Sequence, residues 1–362
     1  MAYGEVAIEW GTPMKAPYLS VIIPYYNAPG KLQSLLRSIA KSKNAPTFEV
    51  IIVDDGSDRS AKLSMGPVTG FLPQIPTRGP LRGSPSARAT QRVLRYVRLN
   101  KNQGPAIARN RGVEAARGEF VVFLDGDVEV FDDTLCEIGK VFTDDPDVVA
   151  LTGVWVKEQK SKDFFPNFKA LRDWSYWINE RDKSGYYFLF STRIASIKRS
   201  VFLRLGGFDE TYPAPLVEDI ELTYRIARRY AIIFAPKVRV RHEFESFYPI
   251  AKKYFLRAYY WTKLYARRKK FDPVATTLQE ALTTISGVGV VLGLISLIGP
   301  MSLIRPLWVL CILIHCYLVR KFLSFAYHEK GLVFAVKSFF MGLVLYCFIF
   351  AGAIAGRLTY TK

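Results

Sequence analysis

The sequence predicts an α/β domain, then an amphipathic helix at a membrane interface, then C-terminal transmembrane helices. Three observations carry that prediction. Short apolar runs that end in polar loops ahead of helix-patterned segments recur up to His242; Lys and Arg mix densely with aromatics over 246–272; and uncharged stretches close the chain.

The first unit is Ser20–Asn27, an apolar run ending in Pro24 and turn chemistry, followed by Leu32, Leu35, Leu36 and Ile39 at helical spacing. Phe48–Val53 is a second strand, ending in Asp54-Asp55-Gly56-Ser57-Asp58. Two such units describe a sheet whose ligands gather outside the carboxyl ends of its strands. Over 59–91 the pattern fails: Pro67, Pro73, Pro76, Pro80 and Pro85 with scattered arginines read as a flexible, basic insertion. Val93–Leu99 restores a strand, and Asn102–Gly112 opens a helix at Pro105 that carries Arg109 and Asn110. An Arg there is an ordinary surface residue or, beside a diphosphate, an anion clamp.

Val121–Leu124 is a short buried strand, and Asp125, Asp127 and Glu129 follow at alternate positions. A strand has period 2, so the three carboxylates leave on one side, where a cation must offset them. Hard oxygen ligands suit Mg²⁺ or Mn²⁺ bridging a diphosphate. Acidic pairs at strand ends also serve simply as turn formers.

The chain has 362 residues, enough for one large domain and an appendage, with net charge +18 and pI about 9.7. That charge calls for polyanionic partners, and its placement selects among them. Lys252, Lys253, Arg257 and five further basic residues alternate with Tyr, Phe, Trp and Leu up to Phe271, directly ahead of apolar sequence. Stacking on single-stranded nucleic acid is one reading of such a segment; a helix on anionic lipid fits its position better. Ala281–Ile304 and Ser338–Gly356 carry no charge, and Pro306–Val319 reaches spanning length if it starts near Met301. With Arg320, Lys321 and Lys330 held in the cytosol as a loop, three spans follow. Cys136, Cys311, Cys316 and Cys347 lack metal-type spacing and read as packers in a reducing compartment. The 1–17 extension has no secretory signal, which puts the α/β domain in the cytosol.

With these parts assembled, the chain resembles the family-2 inverting glycosyltransferases of GT-A fold, whose catalytic domain is a Rossmann-like mixed sheet. Ser20–Asn27, Val53–Ser57, Asn102–Gly112, Asp125-Gly-Asp127, Gly206-Gly-Phe-Asp209 and Glu218-Asp219 stand in that family's order, over a domain at 18–245. The membrane-attached members that act on lipid-linked acceptors are similar in overall plan. The resemblance implies that Pro24, Tyr26 and Asp55 bind the donor nucleotide, Asp55 accepting from uracil of a UDP-sugar. It makes Asp127 the main metal ligand, with Asp125 on ribose or metal-bound water and Glu129 and His242 as further ligands. It also brings Arg109 to the diphosphate. The Gln-x-x-Arg-Trp motif of processive synthases is missing, since Leu256-Arg-Ala-Tyr-Tyr-Trp261 does not match it, so a single transfer is expected.

A hydroxyl acceptor must lose a proton, and Glu218-Asp219 at a helix start offers the base, Asp219 first. Acids also favour helix N-termini on electrostatic grounds alone. A polyprenyl phosphate acceptor needs no base, so the acidic pair favours a hydroxyl on a lipid-linked sugar. A polyprenyl-phosphate sugar synthase is the alternative enzyme, and a membrane-tethered, non-catalytic binding subunit the alternative of another class.

Overall fold

The computed structural model describes residues 8–10, 16–58, 92–180, 187–212, 216–269, 271, 277–294 and 304–360. The 59–91 insertion expected from sequence lies outside the described residues. The helices in chain order are α1 (Pro29–Ala40), α2 (Pro105–Ala115), α3 (Thr134–Asp144), α4 (Phe164–Ser175) and α5 (Arg199–Arg204). They continue with α6 (Glu218–Ala227), α7 (Phe247–Arg268), α8 (Leu278–Gly293), α9 (Ile304–Lys330) and α10 (Leu332–Leu358).

The chain divides into two compact units, Met1–Val156 with Gly185–His242, and Lys157–Ser184 with Glu243–Lys362. The first holds β1 (Ile8–Trp10), β2 (Leu19–Tyr25), β3 (Phe48–Asp54), β4 (Arg92–Arg98), β5 (Phe120–Leu124), β6 (Val128–Val130), β7 (Ala150–Trp155), β8 (Ile194–Lys198) and β9 (Ile233–His242). They form one mixed sheet in the order β1-β4-β3-β2-β5-β8-β7-β9-β6, as the α/β prediction requires. β3, β2 and β5 run parallel, β8 lies antiparallel between β5 and β7, and β7 runs parallel to β9. The carboxyl ends of β3, β2, β5, β7 and β9 therefore share one sheet edge with the start of β8. Register places the functional segments there: Leu124 opposes Ile194, Trp155 opposes Val240, and Val128 opposes His242. The apolar face read for α1 is the buried one, Leu32, Leu35, Leu36 and Ile39.

The second unit is helical: α4, a π-helical turn (Tyr176–Glu180) and α7 to α10. Phe165, Phe168 and Leu171 of α4 pack with Ile250 and Ala251 of α7, Phe322 and Ala326 of α9, and Leu345 of α10. α7 carries the expected basic residues, with Lys252 exposed, Lys253 paired to Glu245 and Arg257 half-buried. At 255–259 it is docked on α10, where a Cβ at Gly352 or Gly356 would come within 2.1 Å of the Phe255 carbonyl or 2.4 Å of that of Tyr259. Small residues four apart are what allow two helix backbones to approach so closely.

Among the described residues two helices, α9 and α10, are long and apolar enough to cross a membrane. The first expected span, 281–304, is described as the 16-residue α8, and 295–303 lie outside the described residues. The Arg320–Lys330 loop of the sequence reading is instead the last turns of α9, with Gly331 alone separating it from α10. Side chains of those turns find partners on α4 and on the chain before it. Lys157 pairs with Glu329, and Lys330 donates to Asn167 at 3.3 Å.

Candidate active site

At the end of β3 the two aspartates have separate tasks. Asp54 is fully buried and accepts from the Tyr96 hydroxyl, from Arg98 at 3.1 Å and from the Ser57 amide at 2.9 Å. Asp55, 4 % exposed, accepts from the Gln103 and Gly104 amides at 2.8 and 2.9 Å, so it shapes the loop entering α2. Burial pushes its carboxyl up, against the pull of those two amides. Gly56 at φ +70 lies where a Cβ would meet the Lys101 carbonyl carbon at 2.3 Å, which only glycine permits. Asn27 and Asp58 exchange two hydrogen bonds of 3.0 Å, joining the loops after β2 and β3. Pro24 is half-buried and Tyr26 is 47 % exposed on that rim, a position open to a flat ligand.

The Asn102–Gly112 segment meets the Gly206–Asp209 segment through Asn110, whose amide donates to the Phe208 carbonyl and accepts from the Phe208 amide, each at 2.9 Å. Immediately before it, Arg109 is 2 % exposed. Its guanidinium donates to Asp125 at 2.8 Å and to Glu218 at 2.9 Å, with the Phe208 ring 5.5 Å away. Burial alone lowers its pKa, and the two carboxylates more than reverse this, so it stays charged. Two carboxylates therefore lie at the fork that the resemblance brings to a diphosphate. Glu218 is also 2 % exposed and takes the Leu216 amide at 2.8 Å on its other oxygen. Each oxygen of Glu218 thus has a partner, and its carboxylate braces Arg109. Asp219, next along, is half-buried, and its Oδ1 accepts from the Ile220 amide at 2.8 Å.

The acidic side chains after β5 do not share one partner. Asp125 faces Arg109; Glu129, opposite Arg241 in the β6–β9 ladder, lies 3.8 Å from it. Asp127 is 30 % exposed, with the Lys31 ammonium 3.5 Å from one oxygen and His242 Nε2 3.6 Å from the other. Among the described residues no group of three His, Cys, Asp or Glu side chains is gathered as a metal cage. Asp127 and His242 nonetheless fit a divalent ion as a pair. Donors about 2.1 Å from an octahedral ion sit about 3 Å from each other, and Mg²⁺ keeps most of its positions for water and phosphate oxygens. Asp125 and Glu129 each have an arginine beside them, Arg109 at 2.8 Å and Arg241 at 3.8 Å.

The sequence reading missed Arg193 and Trp155. Arg193 immediately precedes β8, opposite the position that follows Leu124, and its guanidinium lies 4.5 Å from the buried Trp155 ring at the end of β7. The pair therefore stands on the edge between Asp125 and His242. The available signal was an arginine inside a turn leading straight into the buried run Ile194–Ile197.

The sequence profile described as "Glycosyl transferase family 2" matches residues 20–64 and 86–204. A dolichyl-phosphate beta-glucosyltransferase of Dictyostelium discoideum is 31% identical over 128 residues, 33% of this chain and 34% of that protein. The uncharacterized glycosyltransferase YfnE of Bacillus subtilis is 26% identical over 257 residues, 57% of this chain and 59% of that protein. The chain thus spans about a third to three fifths of such relatives. The mannosyltransferase PcManGT from Pyrobaculum calidifontis, solved with GDP-Man and Mn²⁺, superposes with TM-score 0.56 at 18% identity, covering 97% of this chain and 90% of that one.

Proposed function

We propose, from the premise that this chain belongs to glycosyl transferase family 2, that it transfers a sugar with inversion from a UDP-sugar to a hydroxyl of a membrane lipid-linked acceptor, with a divalent metal. Transfer from a nucleotide-sugar donor comes with the family; nucleotide, metal, stereochemistry and acceptor are our reading. The observation that carries it is the sheet edge, where partly exposed Asp127 and the largely buried His242 stand with the Arg109-braced Asp125 and the half-buried Asp219.

The difficult bond is sugar to phosphate, and the charge that must be neutralised grows on the leaving diphosphate. A divalent ion held by Asp127 and His242 would supply that neutralisation as a Lewis acid. Arg193, whose guanidinium lies 4.5 Å from the Trp155 ring centre, adds a positive charge on this edge that would attract a phosphate. Pro24 and Tyr26 border the nucleobase, and Asp55 holds the loop that completes its seat. Asp219 takes the proton of the attacking hydroxyl, and a single displacement from the face opposite the diphosphate inverts the anomeric carbon.

GDP-Man and Mn²⁺ in the PcManGT complex favour a nucleotide sugar and a divalent ion here, and the dolichyl-phosphate glucosyltransferase favours a lipid acceptor. It also keeps the polyprenyl-phosphate synthase in view, where Asp219 would be idle. α9 and α10, with basic α7, suit attachment to a membrane with the catalytic domain on the cytosolic side. The test is a hydrolysis screen across UDP-, GDP- and other nucleotide sugars with solubilised protein and Mn²⁺, followed by transfer to lipid-linked sugars and to polyprenyl phosphate. Mn²⁺-dependent turnover of one UDP-sugar with a lipid-linked sugar as acceptor is the expected result. Turnover with polyprenyl phosphate alone moves the enzyme to the synthase class.

A further inference from the structure

The reaction described above leaves Lys31 unused. Its ammonium lies 3.5 Å from one oxygen of Asp127, with His242 Nε2 3.6 Å from the other, and among the described residues Asp127 is its one ion-pair partner. The backbone beneath it is fixed. Leu32 and Leu35 of α1 are buried, and the Ser38 hydroxyl accepts from the Val130 amide at 3.0 Å, so α1 runs beside β6 and carries Lys31 to Asp127. Gly126, between the two aspartates, lies where a Cβ would come 3.0 Å from the Pro24 carbonyl oxygen, which holds the acidic turn close to β2. The Lys31 side chain is 54 % exposed, and an ion pair in contact with water contributes little, so the ammonium can exchange one anion for another. The first turn of α1 carries no acid that could hold it instead.

A divalent ion on Asp127 would face that ammonium across a few ångströms, and like charges so placed repel. A nucleoside diphosphate brought to the same ion offers the ammonium a new anion. We propose that Lys31 couples metal to donor: it neutralises Asp127 while the site is empty and moves to the diphosphate oxygens when ion and nucleotide are both bound. The inference rests on the reading of Asp127 and His242 as the metal pair. A lysine suits the exchange, being a compact point charge on a flexible stem, whereas the planar fork of an arginine would hold the carboxylate more rigidly. Binding of the ion by itself is then weak, and linkage makes the effect reciprocal, the diphosphate tightening the ion by the factor with which the ion tightens the diphosphate.

The experiment uses the full chain in detergent and reads free Mn²⁺ by electron paramagnetic resonance, alone and with UDP or GDP, whichever the wild type binds the tighter. Lys31 is exposed, so its variants keep the fold. Lys31→Met should bind Mn²⁺ alone about 3-fold or more tightly than wild type, since one repelling charge is gone. With Mn²⁺ present it should bind the diphosphate about 10-fold more weakly, the loss expected for a hydrogen bond to a charged group. The factor by which the diphosphate tightens Mn²⁺ should therefore fall about 3-fold or more, while Lys31→Arg, which keeps the charge, should leave Mn²⁺ alone as weakly bound as in wild type. Unchanged or weaker binding of Mn²⁺ alone in Lys31→Met, or an unchanged coupling factor, would overturn the assignment. Asp127→Asn separates the two readings. Loss of Mn²⁺ binding there beside a Lys31→Met that behaves as wild type removes Lys31 alone, and undiminished Mn²⁺ binding in Asp127→Asn removes the metal pair and Lys31 with it.

Discussion

Replacing Arg109 by Met separates a diphosphate clamp from an internal brace. The side chain is 2 % exposed and holds Asp125 at 2.8 Å and Glu218 at 2.9 Å, so Arg109→Met leaves Glu218, itself 2 % exposed, as an uncompensated buried carboxylate. Breaking one side of such a buried pair costs about 3–5 kcal/mol. For a domain of about 200 residues each kcal/mol moves the transition by about 2–4 °C, so the melting point of the catalytic unit should drop by about 6–20 °C. Arg109→Met combined with Glu218→Gln should recover part of that loss, because it removes the stranded charge along with its partner. The assay is differential scanning fluorimetry of the solubilised chain, with nucleotide affinity by calorimetry well below the new transition. On this account the double variant binds nucleotide close to wild type. A single variant that melts like wild type yet loses nucleotide affinity would show that Arg109 meets the diphosphate and that the ion pairs contribute nothing.

At Asp127, conversion to Asn removes the hard anion of the proposed metal pair; Mn²⁺-dependent nucleotide binding should vanish and turnover fall by at least about 100-fold, and intact metal-dependent affinity in calorimetry refutes the role. Asp219→Asn should lower kcat by roughly 10² to 10⁴ with donor affinity unchanged, read by transfer to a lipid-linked sugar; an undiminished rate removes it as base. Arg193→Gln should lower kcat/KM for donor hydrolysis by about 10-fold or more, the worth of a charged hydrogen bond, while Arg193→Lys recovers only part because the fork is lost; unchanged kinetics in both would place Arg193 outside the site. Glu280 carries a folded-state value of about 7, above the ordinary 4.5, in a cluster with Lys169, Arg172, Asp173 and Glu180. The folded chain therefore binds the extra proton, and the resulting stabilisation is full below about pH 4.5 and is lost as pH rises through about 7. Melting points of wild type should fall across that window and those of Glu280→Gln should lose that component of the slope; identical slopes refute it.

Local pattern was enough to read β2, β3 and β5, the buried face of α1 and the two long apolar helices, since a period of 2 or 3.6 and the length of an uncharged run are properties of neighbouring residues. The acidic strand end was legible for the same reason, and so was the order of the family's motifs along the chain. What local pattern could not supply is the partner of each charge. Arg109 looks available on its helix until folding brings Glu218, 109 positions later, into its fork; Asp125, Asp127 and Glu129 look equivalent until Arg109, His242 and Arg241 take one each. Arg193 and Trp155 met only because β8 runs antiparallel beside β7, and α4 left the α/β segment for the helical unit because its phenylalanines fit Phe322 and Ala326. Burial and strand register are long-range quantities, and they decide whether a charged side chain is a ligand for something else or the counter-charge of its own neighbour.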